Sequence, residues 1–300
     1  MEEFEGKVRT NGINIYARFL PKGDKTPVVL VMGLAFQMTT WPENLIELLQ
    51  QNGYPVLLFD NRDIGLSEII QEKHNDLLLL SLLQYRFGFP LPHSYSLHDM
   101  AIDTLGLLDH FNLEKVHLLG ISMGGMISQI MAASYGQRVK TLTLLSTSDN
   151  STDNPIPSIE MLWRFMGSGV VGNDLASAQK RGLLLARTIQ SPGFPKKTDE
   201  QILAKIEKNY YRSYQPAGVN RQIHAVLSTG SLRKFHPKIQ APTMIVHGKS
   251  DPLIRPHAGK RLSQSIPNSQ LHLIEGLSHD LPEEFMPILV RLFLEHTQEQ

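Results

Sequence analysis

The segment Gly120-Ile121-Ser122-Met123-Gly124 carries a serine at the centre of a G-x-S-x-G pentapeptide. An apolar strand run (116–119) precedes it. A helix is expected over 123–135, with Met126, Ile130 and Ala133 on one face. Strand, sharp turn and helix in this order would force Ser122 into a strained backbone conformation and project its hydroxyl from the sheet. The glycines keep Cβ atoms out of the gap where strand and helix nearly collide, and the helix N-terminus aims N–H groups at any oxyanion that forms there. A serine hydroxyl is a weak nucleophile alone and needs a base, with an acid to orient that base. His279 lies in Glu275-Gly276-Leu277-Ser278-His279-Asp280, just past a strand expected over 271–274. Asp251 lies in Gly248-Lys249-Ser250-Asp251-Pro252, just past a strand expected over 243–247. Asp149, after the strand run 141–146, is the rival for the acid role, and the G-x-x-D-P context favours Asp251.

These residues need a frame that brings strand ends together. Runs 8–10 and 13–19 flank Asn11-Gly12, a two-residue hairpin signal. Runs 26–32 and 54–59 are continuously apolar, as expected of strands buried on both faces, and enclose a helical pattern over 41–51. A helix over 100–111 follows the capping-box spacing Ser96/Asp99. Between 149 and 237 no strand run occurs; helices are expected over 159–165, 175–189 and, behind a Thr198/Gln201 capping box, 201–211. Alternation then resumes, with helices around 260–265 and 287–296. The organisation is therefore a core of residues 1–148 and 238–300, interrupted by a helical insertion over 149–237. The expected fold class is α/β: a mostly parallel sheet with helices on both faces, opened by an antiparallel hairpin, and functional groups at the carboxyl ends of the strands.

The order Ser122, Asp251, His279, with this elbow, resembles the α/β-hydrolase superfamily over residues 8–296. The resemblance implies an eight-stranded sheet and makes 149–237 a cap, or lid, over the serine. It also implies roles. Ser122 attacks an acyl carbon, His279 takes its proton and later activates water, and Asp251 holds the imidazole in the useful tautomer. By position, the oxyanion hole would use the backbone N–H groups of Leu34 and Met123. Many superfamily members carry His-Gly where this chain has Met32-Gly33, which leaves open how that loop is braced. The segment Asp60-Asn61-Arg62-Asp63-Ile64-Gly65-Leu66-Ser67 is similar to a family motif D-x-R-G-x-G-x-S, with Asp63 in place of glycine, and Arg62 is expected to tie loops together. Together with M-G-L-x-x-Q-M-x-x-W-P, it resembles the serine esterase-like subgroup that includes aclacinomycin methylesterase. A small-molecule carboxylic ester of apolar character is the substrate this implies.

Composition narrows the alternatives. The 300 residues carry 29 basic and 29 acidic side chains, so no charge imbalance points to nucleic acid or an anionic membrane. Zero cysteines exclude disulfides and thiolate chemistry. No metal or organic cofactor is expected: His93 and His98 are five apart without ligand carboxylates in a recognised motif, and G-x-S-x-G-G is not a P-loop. An acidic start, with no apolar stretch long enough to span a bilayer, makes a soluble cytoplasmic protein the expectation. Pocket-wall candidates are Phe36, Met38 and Trp41 beneath the cap, with Met161, Trp163, Phe165 and Met166 in it. The apolar run 77–83, with Phe87, Phe89 and Leu91, should pack under the cap, with a homodimer contact as the alternative. Other readings of the same fold are an acyltransferase, a carbon–carbon hydrolase, a perhydrolase or a non-catalytic receptor for an apolar ligand.

Overall fold

The structure is a computed structural model that describes residues 2–71, 78–89, 91–154, 164 and 172–297. Eight strands form one sheet: β1 (Phe4–Thr10), β2 (Ile13–Leu20), β3 (Val28–Val31), β4 (Val56–Phe59), β5 (Val116–Ile121), β6 (Val139–Leu145), β7 (Thr243–Gly248) and β8 (Ser269–Ile274). Their order is β1-β2-β4-β3-β5-β6-β7-β8. β2 is antiparallel to both neighbours, and the pairs from β4 to β8 are parallel. The hairpin turn is made by Asn11 (φ 46°) and Gly12 (φ 79°), the two left-handed positions that such a tight connection requires.

Successive side chains of a strand point to opposite faces, and here both faces are covered. Val29 and Val31 of β3 enter one apolar cluster and Val28 and Leu30 the other, which explains the unbroken hydrophobic run. The first cluster is closed by α3 (Leu97–His110), α4 (Met123–Ser134) and α8 (Pro256–Ser265), through Leu107, Ile127 and Leu262. The second is closed by α1 (Glu43–Gln51) and α9 (Met286–Thr297), through Leu45, Leu49, Leu289 and Phe293. The Ser96/Asp99 capping box forms as expected and starts α3. No helix among the described residues is long and apolar enough to cross a membrane.

The stretch between β6 and β7 contains, among the described residues, α5 (Leu175–Ile189), α6 (Asp199–Arg212) and α7 (Pro216–Thr229). The Thr198/Gln201 capping box forms at the start of α6. The helix expected over 159–165, and the pocket candidates Met161, Trp163, Phe165 and Met166, lie outside the described residues. Helix α7 is an addition to the sequence expectation. It starts with Pro216 at its first turn, where a missing N–H costs nothing, and ends at Gly230 (φ 64°).

In the 68–95 stretch, α2 (Leu78–Phe87) docks on α7 through buried Ser81, whose Oγ lies 2.9 Å from His224 Nε2. His224 Nδ1 donates to the Asn220 carbonyl (2.9 Å), so Nε2 accepts from the serine. Leu80, Leu83, Phe87 and Phe89 point outward, 49–72% exposed, so this part of the apolar run is not packed beneath the insertion.

Candidate active site

Ser122 joins the end of β5 to the first residue of α4, with φ 54° and ψ −120°. A non-glycine residue at positive φ is strained and persists only where its surroundings over-determine it. They do so here: Ser122 N–H donates to the Leu145 carbonyl (3.0 Å), and its own carbonyl accepts from Thr147 Oγ1 (2.6 Å) and Met126 N–H (3.2 Å). The flanking glycines are a matter of space. A Cβ on Gly124 would lie 2.0 Å from the Val31 carbonyl oxygen, and one on Gly120 would lie 2.4 Å from the Gly124 oxygen. Only glycine lets the helix start so close to β3.

Asp251 and His279 follow β7 and β8 and meet across the strand ends. His279 Nδ1 lies 2.7 Å from Asp251 Oδ2, with both residues buried. The other carboxylate oxygen accepts the N–H groups of Leu253 (2.9 Å) and Ile254 (2.8 Å), which fixes the direction of the acid. His247 stands behind it. Burial lowers its pKa, and its neutral ring donates Nε2–H to the Ile254 carbonyl (2.7 Å), bracing the same turn. With Nδ1 occupied by the aspartate, the imidazole presents Nε2 as its free basic nitrogen.

Asp149 is engaged elsewhere. Its carboxylate takes Arg233 Nε (2.9 Å), Asn154 Nδ2 (2.5 Å) and Ser151 N–H (3.1 Å), with Arg261 at 3.5 Å. Burial works to raise its pKa, but the hydrogen bonds from Asn154, Arg233 and Ser151 outweigh burial and hold it below the usual carboxylate range.

The loop after β3 lies directly against the serine. A Cβ on Gly33 would be 3.2 Å from Ser122 Cβ, so this turn and the elbow are in contact. Leu34 follows, partly buried on the first apolar cluster, and Met123 is 1% exposed at the start of α4. Trp41 and Met38, expected as pocket walls, are 1% and 3% exposed in the second apolar cluster with Leu45 and Leu49. They fill core in place of facing open space. Phe36 is partly buried against the same cluster.

Several residues around the site carried no recognisable sequence signal. The loop bearing His279 is clamped by the turn after α5. His279 N–H donates to the Ile189 carbonyl (3.3 Å), and Ser278 N–H donates to Ser191 Oγ (2.8 Å), whose hydroxyl donates to the Asp280 carboxylate. Burial pushes the Asp280 pKa up. The 60–63 segment is tied to the inserted helices. Asp60 pairs with Arg212 of α6 (2.7 Å), and Asp63 pairs with Arg221 of α7 through two bonds of 2.8 and 2.9 Å. Arg62 turns the other way, gripping Asp103 of α3 with two bonds of 2.7 Å, in the tying role expected of it.

A sequence profile of the alpha/beta hydrolase fold matches residues 26–285. The chain belongs to the alpha/beta-hydrolase family. Among relatives of this alpha/beta hydrolase, rhodomycin D methylesterase DauP of Streptomyces sp. is 24% identical over 297 residues, spanning 91% of each chain. A poly(3-hydroxyalkanoate) depolymerase of Ectopseudomonas oleovorans is 30% identical over 184 residues, 61% of each chain. Among solved structures, the enol-lactonase of Burkholderia xenovorans superposes with a TM-score of 0.72 at 21% identity, covering 96% of this chain and 99% of that one. The eight-stranded topology agrees with that family.

Proposed function

We propose that this alpha/beta hydrolase is a serine esterase that cleaves small to medium apolar carboxylic esters through an acyl-enzyme intermediate. One observation carries the reading: a serine held at positive φ on a strand-to-helix elbow, in the same layer of strand ends as a histidine whose Nδ1 is bound by a buried aspartate. Ser122 Oγ attacks the ester carbon while His279 Nε2 takes its proton. The carbonyl oxygen becomes an oxyanion facing the N–H groups of Leu34 and Met123. His279 then returns the proton to the leaving alkoxide, and the acyl group stays on Ser122. Water, deprotonated by the same imidazole, releases the acid and restores the serine. Asp251 stabilises the imidazolium and fixes its tautomer throughout.

Residues 149–237 act as the cap in this proposal, since α6 and α7 are fastened to the loops that flank Ser122. The methylesterase relatives, matched over nearly their whole length, support an ester as the substrate class. Turnover of p-nitrophenyl acetate and butyrate tests the proposal. Ser122→Ala should lower kcat by several powers of ten with the fold intact, and a serine-directed phosphonate should label Ser122 alone. A variant that keeps a tenth of wild-type turnover, or label mapped to another serine, removes Ser122 from the role.

A further inference from the structure

The turn that would supply one oxyanion donor is closed internally by one long bond, from Phe36 N–H to the Gly33 carbonyl (3.4 Å). Ala35, directly after Leu34, sits at φ 68°, a left-handed conformation that a residue with a Cβ adopts reluctantly. Met32 has no side-chain donor or acceptor suited to bracing the turn. Two polar side chains reach in from elsewhere. Asn61 donates Nδ2–H to the Met32 carbonyl (2.9 Å). Gln222, on α7 and 0% exposed, accepts the Ala35 N–H at Oε1 (3.0 Å) and donates Nε2–H to the Arg62 carbonyl (2.9 Å). An N–H can only donate and a carbonyl can only accept, so these two partners fix which end of the amide points which way. The preceding residue on the helix, Arg221, is locked to Asp63 by its paired bonds. Gln222 is thereby held at a set distance from the turn.

We propose that Gln222 is the positioning residue of the oxyanion loop. Its amide bridges the Ala35 N–H and the Arg62 carbonyl and holds the Leu34 N–H facing the position of the developing oxyanion. The inference rests on the esterase reading above, in which Leu34 is a donor. It goes further by making an inserted helix part of the apparatus that stabilises charge. A helix 187 residues downstream of Ala35 then acts in the chemical step and not solely in covering the substrate.

Gln222→Met keeps the side-chain length and removes both hydrogen bonds. With p-nitrophenyl butyrate, kcat and kcat/KM should fall together by about tenfold to a hundredfold, with KM within about threefold of wild type. Inhibition by an alkyl trifluoromethyl ketone provides a second readout. Ser122 adds to that ketone's carbonyl carbon to leave a bound oxyanion. Its inhibition constant should rise by the same factor as kcat/KM falls.

Gln222→Glu gives a third readout. Its ionised form still accepts from Ala35 but turns an acceptor on the Arg62 carbonyl, while its protonated form can serve both partners. Its rate divided by that of the wild type should therefore climb as pH is lowered from about 8 to about 5.5. A folded Gln222→Met variant with wild-type kcat/KM overturns the proposal, as does a loss carried by KM alone with the ketone unaffected. If the Met variant does not fold, a flat Glu-to-wild-type ratio across that pH range overturns it. An inactive Ser122→Ala beside an unimpaired Gln222→Met sinks this inference alone, whereas an active Ser122→Ala sinks the esterase reading and this inference with it.

Discussion

At the scale of single residues, two aspartates illustrate how a carboxylate's neighbours assign its work. Asp251 spends one oxygen on two backbone N–H groups and the other on His279, so it can do little except orient an imidazole. Asp149 is covered by guanidinium and amide donors and serves to hold the start of the insertion against α8 and the 233–238 turn. Asp251→Asn should keep the geometry but favour the wrong histidine tautomer, lowering kcat on the order of ten-thousand-fold. Asp149→Asn should leave kcat/KM near wild type and lower stability by about 1–2 kcal/mol, since its charge-assisted bonds become neutral ones. Kinetics and urea melts of both variants on one ester separate the two roles, and a severe kinetic loss in Asp149→Asn would reverse the assignment. The positions of Ser122, Asp251 and His279 just past strand ends were legible in the sequence because each sits in a recognisable local context. Gln222 and Asp280 were not, because nothing local distinguishes a glutamine that bridges two loops from one that faces water.

At the scale of elements, α7 is the informative case. A helical stripe is read from apolar residues at helical spacing, and the buried face of α7 carries Arg221, Gln222 and His224 among its few aliphatic positions. That polar face hid the helix from a hydrophobic pattern. The same polarity explains the departure at Asp63, which occupies a left-handed position (φ 69°) where the related motif has glycine, and whose carboxylate meets Arg221. α6, with its capping box and amphipathic spacing, carried its own local signal and was legible. Arg221→Met should destabilise the protein by about 3–5 kcal/mol, because it strands a fully buried carboxylate. Adding Asp63→Gly should recover part of that loss, as it removes the buried charge left without its counter-ion and the left-handed cost together, while giving up the bond the carboxylate accepts from Ile70 N–H (2.8 Å). Chemical denaturation of the single and double variants measures the recovery, and a double variant no more stable than Arg221→Met would refute the pairing as the reason for Asp63.

For the whole molecule, the parallel order of the sheet was legible because each interior strand is a short apolar run between helical patterns. The outward-facing residues of α2 were not, since an apolar run alone does not say which side it buries. Buried imidazoles give stability a dependence on pH. His236, 0% exposed and bonded to Gln129 and Ser265, has its pKa pushed by burial down to about 4, and burial holds His117 in β5 at about 3. Both bind a proton more readily unfolded than folded, so the stability they contribute is full above the unfolded value of about 6.5. It is lost as pH falls through that value toward the folded ones. His236 alone should cost roughly 3 kcal/mol across that window. His236→Gln should flatten the slope of stability against pH between about 6.5 and 4, and an unchanged slope would clear this ring of responsibility. The position of the inserted helices also matters during synthesis. β6 is an interior strand, and its partner β7 begins only at Thr243. At translation speeds of about 5–20 residues per second, the nascent chain holds an unpaired β6 edge, with Val139, Leu142, Leu144 and Leu145 along it, for roughly 5–20 s while residues 146–242 emerge. That interval is an opening for strand-on-strand aggregation. Early folding of α5–α7 over that edge would close it before the strands that precede Asp251 and His279 are made.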